Sequence, residues 1–268
     1  MSVLNKYLSE RDDNTLLMRF AFTGVKERFD RLINDLATLA EEEPWTQFED
    51  YDILKTYINK TFEKCFHQGD ISVKEDEESC CFDTGLLSRQ LEKIYGYFEK
   101  NDRGNPYWKL IGFYTESNMK IIDFPVKPKK ADYFSNPNEY YFNTELDITM
   151  NSIHILEEDH VTERFPEDIK NLPLEDLIAM IRGKIGILKD RIERNPRIVI
   201  PLYYKEKITF ACPINILSHT LALIIEKSDS NNYRINTIFT LDIAYKKARI
   251  LMKPESNWLL INKKKEST

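Results

Sequence analysis

The most regular pattern in the chain is an apolar repeat between residues 174 and 194. Its apolar residues follow one another at steps of three or four, which places them on one side of an α-helix: Leu177, Ile181, Ile185, Leu188 and Ile192. Asn195-Pro196 ends the repeat, because the residue before a proline avoids helical backbone. This helix separates two series of short strand-like runs, so the chain must combine helices with sheet.

Before this helix, the period of the apolar residues changes. Helical spacing over 24–43 and 52–66 predicts two amphipathic helices. Short aromatic and β-branched runs bounded by turn residues then predict strands over 80–87, 94–98, 107–114 and 119–124. We expect 131–142 to be a loop that leads into a strand, and 148–158 to be strand-like.

After the helix come four apolar runs separated by short polar turns, over 198–204, 207–214, 219–226 and 233–241. This spacing predicts an antiparallel meander, which a helix over 241–252 closes. The predicted fold class is α+β, with N-terminal helices, mixed or antiparallel strands, a central amphipathic helix and this C-terminal meander. We predict one domain over 1–262, with a helical part over 1–66, a sheet-containing body over 67–262 and a flexible basic tail over 263–268.

Glycine is scarce, with 8 residues in 268, or about 3% against a usual share of roughly 7%. The chain contains no G-x-G-x-x-G and no P-loop, the motifs whose glycines let backbone amides approach phosphate. G-x-S-x-G, H-E-x-x-H and EF-hand loops are also missing from the sequence. The sequence therefore carries no signature for NAD, flavin, haem or a P-loop nucleotide. The cofactor stays unknown, with a divalent metal left open.

The four cysteines form no C-x-x-C pair. We expect Cys212 to be a core residue, and Cys80 and Cys81 to be half-buried strand residues rather than a redox or metal pair. No apolar run approaches the roughly 20 residues of a membrane span, and the N-terminus lacks the apolar stretch of a signal peptide. The expectation is a soluble, cytoplasmic protein without a membrane partner.

Charge is divided unevenly along the chain. Residues 1–181 have a net charge of −15 and residues 182–268 a net charge of +9. The basic stretch 182–207 places cations beside aromatic rings, a combination typical of surfaces that bind phosphates and stack bases. We therefore predict a nucleic-acid-binding set of Arg191, Arg194, Arg197 and Tyr204. The alternative is a solvated helix face followed by a strand with exposed lysines.

A few polar residues are candidates for chemistry. His154 and His160 flank three carboxylates, an arrangement that suits a general base or a metal site, although an ordinary strand histidine is the plainer interpretation. Arg164 and Arg249 could grip phosphate through two parallel hydrogen bonds. Asp242 opens a predicted helix, where an N-cap is the alternative to a catalytic role. Gly183 and Gly186, inside the central helix, are expected to permit close helix packing.

Several motifs together resemble an uncharacterised family of domains of unknown function from bacteria and fungi. They are FDTGL (82–86), HIL (154–156), RFP (164–166), PLYY (201–204) and TLDIAYKKARIL (240–251). The family reads close to F-N-T-G-L and T-L-D-M-A-Y-x-N-A-R, so Asp83, Ile243 and Lys247 are departures. The polar positions that match its motifs are Thr84, Gly85, His154, Arg164, Tyr203, Asp242 and Arg249.

Relatives in that family look like modules fused to RNA-associated domains, including OST-HTH (LOTUS) and cold-shock types. The resemblance therefore implies an RNA- or nucleotide-associated protein. The leading hypothesis is a hydrolase that acts on a phosphate-containing substrate, either an RNA end or a nucleotide. In it His154 and Asp242 are catalytic, while Thr84, Gly85, Arg164, Tyr203 and Arg249 bind substrate.

Two other hypotheses stay open. One is a non-catalytic RNA-binding module that uses the basic stretch 182–207. The other is a regulatory subunit whose acidic N-terminal helices meet a basic protein partner. The sequence leaves the oligomeric state open.

Overall fold

The computed structural model describes residues 3–10, 15–45, 49–134, 136–150, 165–228 and 231–259. The chain divides into two compact units, Met1–Tyr133 and Phe134–Thr268. Each unit is built around a five-stranded sheet, so the predicted α+β class is confirmed. The prediction of a single domain over 1–262 stays a prediction.

The first unit places its helices before and after an aromatic-rich sheet. Its elements are α1 (Leu16–Phe20), β1 (Ala21–Phe22), α2 (Lys26–Leu39), α3 (Asp52–Gln68), β2 (Ile71–Val73), β3 (Ser79–Leu87), β4 (Lys93–Lys100), β5 (Trp108–Thr115) and α4 (Met119–Ile122). The strand order is β1-β5-β4-β3-β2. β2 to β5 pair antiparallel, and the two-residue β1 pairs parallel with β5.

An aromatic cluster forms the core between α3 and one face of this sheet. The Phe62 ring of α3 meets Phe82 edge-on at 5.2 Å and lies 5.9 Å from Phe98 and 5.1 Å from Phe20. Gly96 is the cross-strand partner of Phe82, and a Cβ at Gly96 would lie 2.1 Å from Phe82 Cε1. The absence of a side chain at residue 96 therefore lets the Phe82 ring lie across β4.

The opposite face of the sheet buries Cys81, Tyr95 and Tyr97 against Ile121 and Phe124. Residues 119–124 were predicted to be a strand, and that prediction is wrong. The side chain of Asn118 accepts a hydrogen bond from the Lys120 backbone N–H at 3.0 Å, which starts the single helical turn α4. Ile121 and Phe124 then reach the sheet with a spacing of three rather than two.

The second unit contains the central helix and the meander. Its elements are β6 (Ile148–Thr149), α5 (Glu167–Lys170), α6 (Leu174–Arg194), β7 (Ile200–Tyr204), β8 (Lys207–Ile216), β9 (His219–Lys227), β10 (Tyr233–Phe239) and α7 (Leu241–Leu251). The strand order is β6-β10-β9-β8-β7. β7 to β10 form the predicted antiparallel meander, and the two-residue β6 pairs parallel with β10.

α6 and α7 cover opposite faces of this sheet. Phe210 pairs with Pro201 while its neighbour Thr209 pairs with Leu202, so Phe210 lies on the face opposite Leu202 and Tyr204. The Phe210 face packs against Phe142, which lines a cleft with α6. On the other face, the ammonium group of Lys247 from α7 lies 5.0 Å from the Tyr204 ring.

The second sheet is strongly coiled. Tyr204 ends β7 and Phe239 ends β10, and β8 and β9 lie between these two strands in the sheet. The two rings nevertheless meet edge-on, with centroids 5.1 Å apart. This twist wraps the sheet around α7, whose Ala244, Tyr245 and Ala248 are buried.

Two loop predictions differ from the structure. In the described part of 131–142 there is no strand, because Asn136 accepts from the Asn138 N–H at 2.9 Å and Pro137 begins a 3-10 turn, Pro137–Tyr140. Only Ile148–Thr149 of the expected strand at 148–158 lies in a described strand, and residues 151–164 lie outside the described residues.

The glycine and cysteine interpretations also need correction. A Cβ at Gly183 or Gly186 would meet nothing within 4 Å, so these exposed glycines do not support close helix packing. Cys80 and Cys81 are fully buried rather than half-buried, and Cys212 is a core residue as predicted. Burial raises the pKa of Cys81 to about 12, so its thiol stays protonated and unreactive near pH 7.

Candidate functional site

The best-defined polar surface in the described residues is an arginine group at the end of α6. Arg191 and Arg194 lie in its last turn, and Arg197 lies in the 3-10 turn Pro196–Ile198 that follows. The sequence Asn195-Pro196 makes this junction, because the Asn195 side chain accepts a hydrogen bond from the Arg197 N–H at 3.2 Å. The helix therefore ends at Arg194, and Arg197 follows three residues later in the 3-10 turn.

All three guanidinium groups of this arginine group are exposed, and none makes an ion pair in the described part of the chain. Nearby lysines differ, since Lys189 pairs with Asp147 at 2.8 Å and Lys207 with Glu226 at 2.7 Å. Cations in a last helical turn complement the helix dipole, which accounts for Arg191 and Arg194. Arg197 lies beyond the helix, so the helix dipole does not account for a cation at this position.

The two tyrosines of β7 point to opposite faces of the second sheet, because they are adjacent in a strand. Tyr203 pairs with Ile208 on the Phe210 face. Tyr204 lies on the α7 face, where Lys205 and Lys247 lie 5.2 and 5.0 Å from its ring. The structure therefore does not bring Tyr204 beside the arginine group, although all four residues were predicted as one nucleic-acid-binding set.

Asp242 and Arg249 occupy two ends of α7. Thr240 is the N-cap of this helix, and its hydroxyl donates to Asp242 Oδ1, so Asp242 itself is not the cap. Arg249 follows two turns later, about 10 Å along the helix axis. It is only 6% exposed, and a buried guanidinium requires hydrogen-bonding partners inside the protein.

Thr84 and Gly85 lie in the first unit, in a bulge of β3 where the register with β4 shifts between Asp83 and Leu87. The Thr84 hydroxyl donates to the Ile94 carbonyl at 2.6 Å, and the Tyr57 hydroxyl donates to the Thr84 carbonyl at 2.9 Å. Gly85 has a φ of +71°, the left-handed region that favours glycine. These contacts give both residues a structural role, and substrate binding by them stays a prediction.

Sequence reasoning missed a buried polar pair beside this bulge. Asp83 is 3% exposed and lies directly across from Tyr95 in the register of β3 and β4. Burial raises the pKa of the Asp83 carboxyl, although the Gly85 N–H donates to Asp83 Oδ1 at 2.7 Å. The buried Tyr95 hydroxyl has no hydrogen-bond partner among the described residues. No local sequence pattern indicated this pair, because it depends on the register of β3 and β4.

His154, His160 and Arg164 lie outside the described residues. Across the described ranges, no three His, Cys, Asp or Glu side chains converge as a metal site would require. None of the helices in the described part of the chain is long and apolar enough to cross a bilayer. The arginine group is therefore the polar surface that the structure defines best.

Fold and surface together define an α+β protein with a coiled mixed sheet in its second unit. A long helix, α6, packs on that sheet and ends in exposed arginines. Residues 36–258 match the sequence profile described as a domain of unknown function, DUF3825. The chain belongs to that family, as the motif resemblance predicted. No curated protein and no solved structure matches the chain.

Proposed function

We propose that this protein binds single-stranded RNA through phosphate contacts made by the arginine group Arg191, Arg194 and Arg197. The observation that carries the proposal is the exposure of three guanidinium groups, within seven residues, that make no ion pair in the described structure. An arginine already paired to a carboxylate would have to give up that pair to bind phosphate. These three can bind phosphate at no such cost.

The distribution of charge supports the same function. Residues 182–268 carry a net charge of +9, within a chain whose net charge is −6. A local excess of cations in an acidic protein attracts a polyanion to one surface and repels it elsewhere. The plainer alternative, a solvated helix end, predicts no RNA affinity beyond that of other exposed cations.

The experiment is a salt titration of binding to a fluorescent U20 RNA, read by anisotropy. For single strands, log K falls by about 0.7 per unit of log[salt] for each phosphate contact. Replacing all three arginines by glutamine should therefore make the salt slope shallower by about 2 and weaken binding at low salt. The matched control removes three exposed cations of the first unit that make no ion pair with any described residue: Arg89→Gln, Arg103→Gln and Lys129→Gln.

If the control variant weakens U20 binding as much as the arginine variant, the effect is one of net charge and the proposal is wrong. If the wild-type protein does not bind U20 at all, the proposal also fails. The hypothesis of a regulatory subunit with a protein partner then gains. A duplex of the same length distinguishes single-strand from general phosphate binding.

A further inference from the structure

The second unit contains an open cleft of about 170 Å³ between α6 and residues 142–148. Its lining combines apolar side chains, among them the buried Ile192 and the half-buried Phe142, with the exposed carboxylates of Glu145, Asp147 and Glu193 at the rim. Pockets for drug-sized molecules measure about 300–1,000 Å³, so this cleft has room for about one flat ring system.

The cleft is held open by contacts on both sides. The Phe142 ring stacks on Tyr233 with centroids 4.3 Å apart and an angle of 20°. The backbone N–H of Asn143 donates to the Tyr233 hydroxyl at 2.9 Å, and Lys189 on α6 bridges to Asp147 at 2.8 Å. The wall is therefore ordered before any ligand arrives, which lowers the entropic cost of binding.

The charges of the rim decide which chemical group can enter. Lys189 neutralises Asp147, and Glu145 and Glu193 make no ion pair within the described residues. The rim is therefore acidic and repels phosphate. A neutral ring with N–H donors suits it, because carboxylates accept hydrogen bonds from the exocyclic amines of bases.

We infer that this cleft binds one unpaired nucleobase that carries an exocyclic amine, stacked against Phe142 and hydrogen-bonded to Glu193 or Glu145. The inference rests on the proposed function, since the arginine group would hold the phosphates of the same strand. Arg182 supports this arrangement, because helix periodicity places it on the same side of α6 as Lys189, two turns earlier. Exposed Arg182 can contact a phosphate flanking the bound base.

The test compares the full-length protein on three RNA decamers, A10, C10 and U10, at one fixed salt concentration. Uracil has no exocyclic amine, so A10 and C10 should bind more tightly than U10. Since base stacking on an aromatic side chain contributes about 1–3 kcal/mol, Phe142→Ala should weaken A10 binding by about fivefold or more. If Phe142→Ala does not fold, Phe142→Leu replaces it. Leucine keeps the apolar packing on Tyr233 but removes the aromatic ring on which the base would stack.

The carboxylate variant separates base recognition from general electrostatics. Glu193→Gln should reduce the ratio of C10 to U10 affinity towards one. Glu175→Gln is the control, since Glu175 is also exposed but lies in the first turn of α6, outside the cleft. If Glu193→Gln instead strengthens all three decamers equally, the carboxylate only repels the backbone, and the inference is wrong.

Failure of this inference differs from failure of the proposed function. If A10, C10 and U10 bind equally well and the arginine variant makes the salt slope shallower, the base site is overturned and RNA binding stays intact. If no RNA binds, both fail. Binding of a lysine decapeptide that Glu193→Gln abolishes, with no preference among the RNAs, assigns the cleft to a basic protein segment and overturns the base site.

Discussion

Asp83→Asn should stabilise the protein at pH 7. Asparagine has nearly the same shape as aspartate and keeps an oxygen that can accept the 2.7 Å hydrogen bond from the Gly85 N–H. It removes a negative charge from a site that is only 3% exposed. The F-N-T-G-L pattern that this segment resembles also has asparagine at this position.

The pH dependence fixes the sign of the effect. Burial raises the pKa of folded Asp83 above its unfolded value, and the Gly85 hydrogen bond, Lys93 and Lys130 offset only part of that rise. Protonated Asp83 therefore stabilises the fold below the unfolded pKa, near 3.9, and this contribution is lost as the pH rises through the folded pKa. Above that point, the wild type pays for a buried charge that the asparagine variant lacks.

The magnitude follows from what a buried, incompletely compensated polar group costs. Such a group destabilises a fold by about 1–3 kcal/mol, so we expect a gain on the order of 1 kcal/mol at pH 7. In a domain of this size, such a gain raises the melting temperature by roughly 2–4 °C. The difference between the two proteins should shrink towards zero at pH 3, where Asp83 is protonated in both states.

The assay is urea unfolding of the wild type and the variant at a series of pH values between 3 and 8. Asp147→Asn is the control, because the exposed Asp147 pairs with Lys189, which lowers the pKa of its carboxyl. Its loss should not stabilise the protein at pH 7. A destabilising Asp83→Asn at pH 7, or a gain that persists unchanged at pH 3, would refute the argument from burial.

Three further predictions follow from particular residues. Gly183→Ala and Gly186→Ala should each stabilise the protein by about 0.5–1 kcal/mol in thermal unfolding, because a Cβ at either position meets nothing and alanine favours helix; loss of stability would show that α6 has a packing partner. Gly96→Ala should destabilise the first unit by about 1–3 kcal/mol, since its Cβ would lie 2.1 Å from the buried Phe82 ring; an unchanged urea midpoint would contradict this. If the protein is a phosphate-ester hydrolase, His154→Ala should abolish turnover of defined RNA ends or nucleotides, while U20 binding persists. Turnover is assayed by mass spectrometry with and without Mg²⁺ or Mn²⁺. Product formation by the variant would exclude the role predicted for His154.

The elements with strict local patterns could be predicted from the sequence. The helix predicted over 174–194 is observed as Leu174–Arg194, because the apolar spacing and Asn195-Pro196 are both local signals. The segment 119–124 could not be distinguished from a strand, because α4 is one turn long and the Asn118 cap decides its conformation. A single turn is too short for its period to be recognised.

The candidate sites also differ in whether a local sequence pattern indicates them. Charge alone indicated the arginine group, since Arg191, Arg194 and Arg197 are neighbours in the sequence. The pair Asp83 and Tyr95 depends on the register of β3 and β4, and the cleft joins residues 142–148 to residues 189–193 of α6, more than forty residues later. Such long-range pairing leaves no local pattern, so the sequence did not indicate either site.

The short outer strands have a consequence for the behaviour of this protein at high concentration. An exposed strand edge offers unpaired N–H and C=O groups to another molecule and so promotes aggregation. In the first sheet, the two-residue β1 covers part of the edge of β5, and the opposite edge strand is the three-residue β2. In the second sheet, the two-residue β6 covers part of the edge of β10, and the opposite edge strand is β7, which contains Pro201. Proline cannot donate a backbone hydrogen bond, so β7 is a poor template for a further strand. Both sheets thus end in edges that discourage fibre-like growth of the folded protein.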